Sequence, residues 1–201
     1  RFHSSRPFAS GGRGPTAGQV LDGLVLLGGG PWGSAGGRNV PTLIEELTLT
    51  KAALQHGLPV LGIGLGAQLL SIMAGGSVQQ TDLRFEVDEA RRVDTQALGG
   101  FLPERYPLVI YGRDRPLPPP EARILAVDSA GHPALFQVGA NALGFTGHPG
   151  VKAAIIEDLI MEFEEAPADP GPTLARLREV QTALEDGLVP IMPGVGRMLR
   201  V

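Results

Sequence analysis

Leu61-Gly62-Ile63-Gly64-Leu65-Gly66-Ala67-Gln68-Leu69-Leu70 is the stretch on which the reading of this chain turns. Leu58 to Ile63 forms a short apolar run of the kind found in buried strands, and Ala67 to Ala74 has helix-forming composition up to Gly75-Gly76. Between them Gly64-Leu65-Gly66 makes the turn. No residue between His56 and Asp82 is charged, but Pro59, Gln68, Ser71 and the repeated glycines make this a poor membrane span. The segment reads as strand, turn and helix.

The same grammar holds upstream. Leu24 to Leu27 is apolar and ends in Gly28-Gly29-Gly30-Pro31, a strand running into a loop at its carboxyl end. Pro41 suits a first helical position, Leu43, Ile44, Leu47 and Leu54 fall near one helical face, and Gly57 with Pro59 supplies a stop, so a helix is expected over about 41–56. Strand, helix, strand, helix predicts an α/β fold with a mostly parallel sheet flanked by helices.

Downstream, from Ser77 to Gly144, short β-like runs alternate with turn residues: Leu108 to Tyr111, Ile124 to Val127 and Ala134 to Phe136. Val151 to Glu164 reads as a helix with Ile155, Leu159 and Phe163 spaced four apart. After a Pro-rich linker at 166–172, Leu174, Leu177, Val180 and Leu184 give a second amphipathic helix, followed by a tail without a clear pattern. The expected organisation is a flexible Gly-rich arm at 1–20, an α/β domain at 21–165, and a linker, helix and tail at 166–201.

Composition removes several function classes. The 201 residues carry 17 basic and 21 acidic side chains, a net charge of −4, without the basic stripe that nucleic-acid binding needs. The absence of cysteine excludes disulfides, thiolate metal sites and thiol catalysis. His3, His56 and His132 show no metal-ligand spacing, so no metal site is expected. Arg1 to Gln19 holds three arginines and no acid, which fits either a transit-peptide remnant, and hence a mitochondrial matrix protein, or a plain flexible arm of a cytoplasmic one.

Two glycine patterns satisfy the dinucleotide fingerprint, Gly28-x-Gly30-x-x-Gly33 and Gly62-x-Gly64-x-x-Ala67. The second follows a strand, opens a helix and has Asp82 about 20 residues on, as a ribose partner would be. A dinucleotide-binding enzyme is therefore one reading.

Four segments in order support another. Leu61 to Leu70 resembles the nucleophile elbow of class I glutamine amidotransferases, with Gly64 where that family has its cysteine. Asp22 to Pro31 resembles the strand and oxyanion loop before the elbow, Tyr111-Gly112-Arg113-Asp114 the family's aromatic-histidine-glycine-aspartate segment, and Gly144-Phe145-Thr146-Gly147-His148-Pro149 its catalytic-histidine loop. The resemblance covers roughly 20–164 and implies a flavodoxin-like, three-layer fold whose first βα unit is shortened or missing.

It also implies a damaged site. In the family the cysteine attacks the glutamine amide, the histidine carries the proton, and a carboxylate two residues beyond orients the imidazole. Here His148 remains, while Gly64 and Gly150 stand at the other two positions. What the resemblance leaves is a cradle of backbone N–H groups around Gly28, Gly29, Gly30 and Leu65, with Gln68 at a substrate-contacting position, fit for a small amide or anionic ligand. Trp32 is a core anchor or a pocket wall, and Arg113 with Asp114 reads as a solvated turn.

The function expected is that of a non-catalytic amidotransferase-like subunit without a cofactor, docking a protein partner or a second copy through the apolar stripe of residues 173–201. The alternative cover for that stripe is the chain's own body. An ammonia-supplying subunit with an atypical site, the dinucleotide enzyme and a purely structural subunit stand as the alternatives.

Overall fold

A computed structural model describes residues 22–199. The expectations for the Gly-rich arm, the transit-peptide remnant, the shortened first βα unit and His3 lie outside the described residues.

The first half follows the expected alternation. β1 (Leu24–Leu26) leads into the glycine loop, α1 (Leu43–Gln55) follows, then β2 (Val60–Ile63) and α2 (Leu65–Met73). α2 lies very close to the sheet: a Cβ at Gly66 would meet the Leu26 carbonyl oxygen at 2.3 Å, and one at Gly62 the Gly66 oxygen at 2.4 Å. α1 turns Leu49, Thr50 and Ala53 inward, whereas Ile44, expected on the apolar face, is 76% exposed.

Next come β3 (Ser77–Gln79), β4 (Arg84–Arg92), a 3-10 turn (Ala97–Gly100), β5 (Arg105–Gly112), β6 (Arg115–Leu117), β7 (Arg123–Val127), β8 (Pro133–Val138) and β9 (Ala142–Phe145). Seven strands form one sheet in the order β1-β2-β9-β8-β7-β4-β5, while β3 and β6 pair separately. Parallel pairing is confined to β1, β2 and β9; every other neighbouring pair is antiparallel. The sheet is thus mixed rather than mostly parallel. The reason lies in the connections, since the few residues joining β7 to β8 and β8 to β9 permit only hairpin geometry, whereas parallel strands need a long crossover.

Two helices complete the fold, α3 (Ala153–Glu162) and α4 (Pro170–Leu199). α3 buries Ile156, not Ile155, which is half exposed, so the inward face is displaced by one residue from the expected one. α4 joins the expected helix and the unassigned tail into one 30-residue helix that continues through Pro190 and Pro193. Its buried residues divide between two clusters. Leu177 and Leu184 pack with Phe85, Val109, Tyr111 and Ile156, while Ile191, Val195 and Leu199 pack with Leu98, Leu102, Leu108 and Ile110. Successive β5 side chains point to opposite faces of the sheet, so α4 ties both faces together at that edge.

This corrects the docking expectation for residues 173–201. The apolar stripe is covered by the chain itself, and it lies beside β5, at the opposite edge of the sheet from β1. Among the described residues no helix is long and apolar enough to cross a membrane.

Candidate functional site

β2 delivers the chain into a sharp turn at Gly64, whose φ of 60° and ψ of −114° lie where side chains are strained. The Gly64 N–H donates to the Phe145 carbonyl at 2.9 Å, which fastens the turn to the end of β9. β9 continues into the Thr146 to Pro149 loop, held by the His148 N–H donating to the Val109 carbonyl at 2.8 Å. Strand pairing between β2 and β9 thus places His148 over Gly64. A Cβ at Gly64 would lie 2.6 Å from His148 Nε2 and 3.0 Å from the Gly28 oxygen. The imidazole fills the space that a side chain at Gly64 would need.

His148 Nδ1 is buried and has no hydrogen-bond partner. Burial pushes the His148 pKa below its ordinary value of 6.5, against the opposing pull of the Gly28 and Val109 carbonyls. At neutral pH the ring is therefore neutral. Gly150, two residues on, has a φ of 74°, and a Cβ there would meet Leu188 Cδ2 of α4 at 2.8 Å. A hydrocarbon stands where an orienting carboxylate would have to pass.

Gly29, Gly64, Leu65, Gln68 and His148 line one cleft together with Trp32, Tyr111, Arg113, Asp114 and Thr146. The free space between them is about 10 Å³, that of roughly one water, too little for an amide side chain. Two of the expected ligand groups are already engaged. The Leu65 N–H donates to the Gly28 carbonyl at 3.3 Å. The Gln68 amide accepts from Ser34 Oγ at 2.6 Å through Oε1 and donates to the Arg113 carbonyl at 2.7 Å through Nε2, so it braces the cleft wall instead of facing a ligand. Gly30 lies under Phe163, whose ring comes within 3.3 Å of its Cβ position.

Arg113 and Asp114 are not a solvated turn. Asp114 is 3% exposed at a φ of 63°, and its carboxylate accepts from the backbone N–H groups of Ser34, Ala35 and Thr81 at 2.9 to 3.1 Å. It fixes the loop after Trp32 to the β5–β6 turn. Arg113 donates to the Pro31 carbonyl at 3.0 Å through Nε and pairs with Glu165 through Nη2. Trp32 fills both roles left open for it, packing on the α1–α2 core and lining the cleft. Sequence spacing offered no way to find Glu165, which is 52 residues from its partner.

His132 pairs with Asp128 at 3.1 Å and lies 3.2 Å from Arg115 in the β7–β8 turn, and His56 caps the end of α1. Among the described residues no group of three His, Cys, Asp or Glu could hold a metal ion. The dinucleotide arrangement fails on topology. The strand after α2 is β3, which pairs antiparallel with β6 outside the main sheet, so Asp82 does not stand at the end of a parallel strand beside β2.

Comparison with known proteins agrees with the fold. Residues 39–98 match the Peptidase C26 family. A glutamine-hydrolyzing GMP synthase of Aeropyrum pernix is 34% identical over 130 residues, which is 64% of this chain and 24% of that protein. The chain therefore spans about a quarter of that relative's length. A glutamine amidotransferase from Thermotoga maritima superposes with a TM-score of 0.70 at 24% identity, covering 89% of this chain and 78% of that one. A second, from Methylobacillus flagellatus, gives 0.70 at 20% identity over 89% and 75%. The chain contains a glutamine amidotransferase-like domain with the class I fold.

Proposed function

We propose that the chain is a non-catalytic class I glutamine amidotransferase-like subunit of the cytoplasm that works by binding a protein partner. The observation that carries this reading is the Gly64 turn: it keeps the elbow geometry, yet no nucleophile stands on it and His148 Nε2 fills the space of one. No cysteine exists elsewhere to substitute. Of the two hydroxyls lining the cleft, Thr146 Oγ1 donates to the Pro133 carbonyl at 2.6 Å, and burial pushes the Tyr111 phenol pKa up, which keeps it protonated. A neutral His148 has no carboxylate at Gly150 to stabilise the imidazolium that would form when it takes up a proton. These features argue against an ammonia-supplying site.

The partner half of the reading rests on the relatives. A glutamine-hydrolyzing GMP synthase about four times as long as the matched region has further protein to which that region belongs. We infer that this chain likewise acts together with another polypeptide. Glutamate release from glutamine, assayed on the isolated chain and on the chain purified with its partner at native expression level, tests both halves. We expect background rates in both samples and a stoichiometric second chain in the latter. Turnover abolished by a substitution in the Gly64 or His148 loop would overturn the first half, and a chain that elutes alone the second.

A further inference from the structure

Arg113 lines the cleft, and its side chain is nearly buried, 12% exposed. A buried guanidinium requires an anion, because leaving one unpaired is among the costliest defects a fold can carry. That anion comes from Glu165, in the segment joining α3 to α4. One Glu165 oxygen pairs with Arg113 Nη2; the other lies 3.4 Å from Arg38 Nε, yet is buried without a hydrogen bond. The carboxylate is thus gripped on one side and poorly met on the other. Phe163, in the same segment, rests on Gly30 and lays the connection across the glycine loop.

We propose that Arg113 and Arg38 form a binding site for a small carboxylate, which Glu165 occupies as an internal ligand. Arg113 is suited to this because Nε is anchored on the Pro31 carbonyl, which holds the guanidinium plane still and leaves Nη2 to meet a carboxylate. Glu165 is suited to leave because it belongs to an irregular connection, and such segments open locally at less cost than helices or strands. Glu165 stands between the two arginines, so the ligand is small and takes the space of the Glu165 side chain. The inference goes beyond the partner-binding reading and is tested on the isolated full chain.

The test uses propionate, which is the Glu165 side chain in free form, and the fluorescence of Trp32, the sole tryptophan, which lines the same cleft. In Glu165→Ala, propionate is expected to give a saturable change with a Kd at least about tenfold lower than in the wild type, where the tethered carboxylate competes. Chloride at equal ionic strength should give none, and Arg113→Gln in the Glu165→Ala background should abolish the response. Glu165→Gln keeps the side-chain shape while removing the charge, and supplies the same comparison if Glu165→Ala does not fold. A non-saturable response in both Glu165 variants, an affinity equal to that of the wild type, or a response that survives Arg113→Gln would overturn the proposal.

Discussion

At the scale of single residues, the site is defined by two glycines and the groups that have closed over them. Gly64→Cys places a Cβ 2.6 Å from His148 Nε2 at a φ of 60°, so the imidazole must move and the turn carries about 1–3 kcal/mol of strain. Gly150→Glu meets Leu188 in the same way. The double variant is expected to release glutamate at background rate and to unfold at lower urea than the wild type. Adding Leu188→Ala should recover part of the loss from Gly150→Glu, and simple additivity of the two changes in urea unfolding would refute the clash. His148 supplies a prediction with a sign. Its folded pKa is depressed, so below about pH 6.5 the unfolded chain binds a proton that the folded chain refuses. Stability contributed by the neutral ring is complete above that pH and lost as pH falls toward the folded value. His148→Gln should flatten the stability profile over that window, and equal slopes in the two proteins would count against a buried neutral ring.

Among elements, α4 and the β2–α2–β3 run make separate predictions. α4 meets the 3-10 turn at Gly194, where a Cβ would lie 2.7 Å from Leu98 Cβ and 2.9 Å from Phe101 Cβ. Gly194→Ala gains helix propensity but overpacks this contact, which costs about 1–3 kcal/mol and wins over the ~1 kcal/mol propensity gain. Denaturant unfolding should therefore show a net loss; a stabilised variant would mean that α4 is not seated there. The glycine pattern on α2 predicts nothing for dinucleotides once β3 leaves the sheet, so NAD and NADP should leave the melting temperature unchanged. A concentration-dependent rise abolished by Gly64→Val would reinstate that reading.

For the molecule as a whole, the C-terminal helix is part of the body. Leu177, Leu184, Ile191, Val195 and Leu199 are each at most 6% exposed. At about 2 kcal/mol apiece their burial rivals the entire ~5–15 kcal/mol by which a domain is stable. Deleting residues 166–201 should abolish cooperative melting by circular dichroism, and a truncated chain that melts as the full one does would show the helix to be dispensable. The sequence by itself determined the α/β class, the strand-turn-helix at Gly64 and the absence of a thiol, because apolar runs, glycine turns and composition are local properties. Helix faces were less legible: Ile155 for Ile156 is an error of one position, decided by which side the sheet happens to offer. What only the tertiary structure decided depends on pairs distant in the chain. Short hairpin connections made the sheet mixed, and the two faces of β5 drew α4 onto the body instead of leaving it for a partner. The same distance effect brought Glu165 to Arg113, Leu188 to Gly150, and three backbone N–H groups to Asp114. Each is a meeting of segments tens of residues apart, fixed by packing and charge in three dimensions, and no periodicity in the chain announces it.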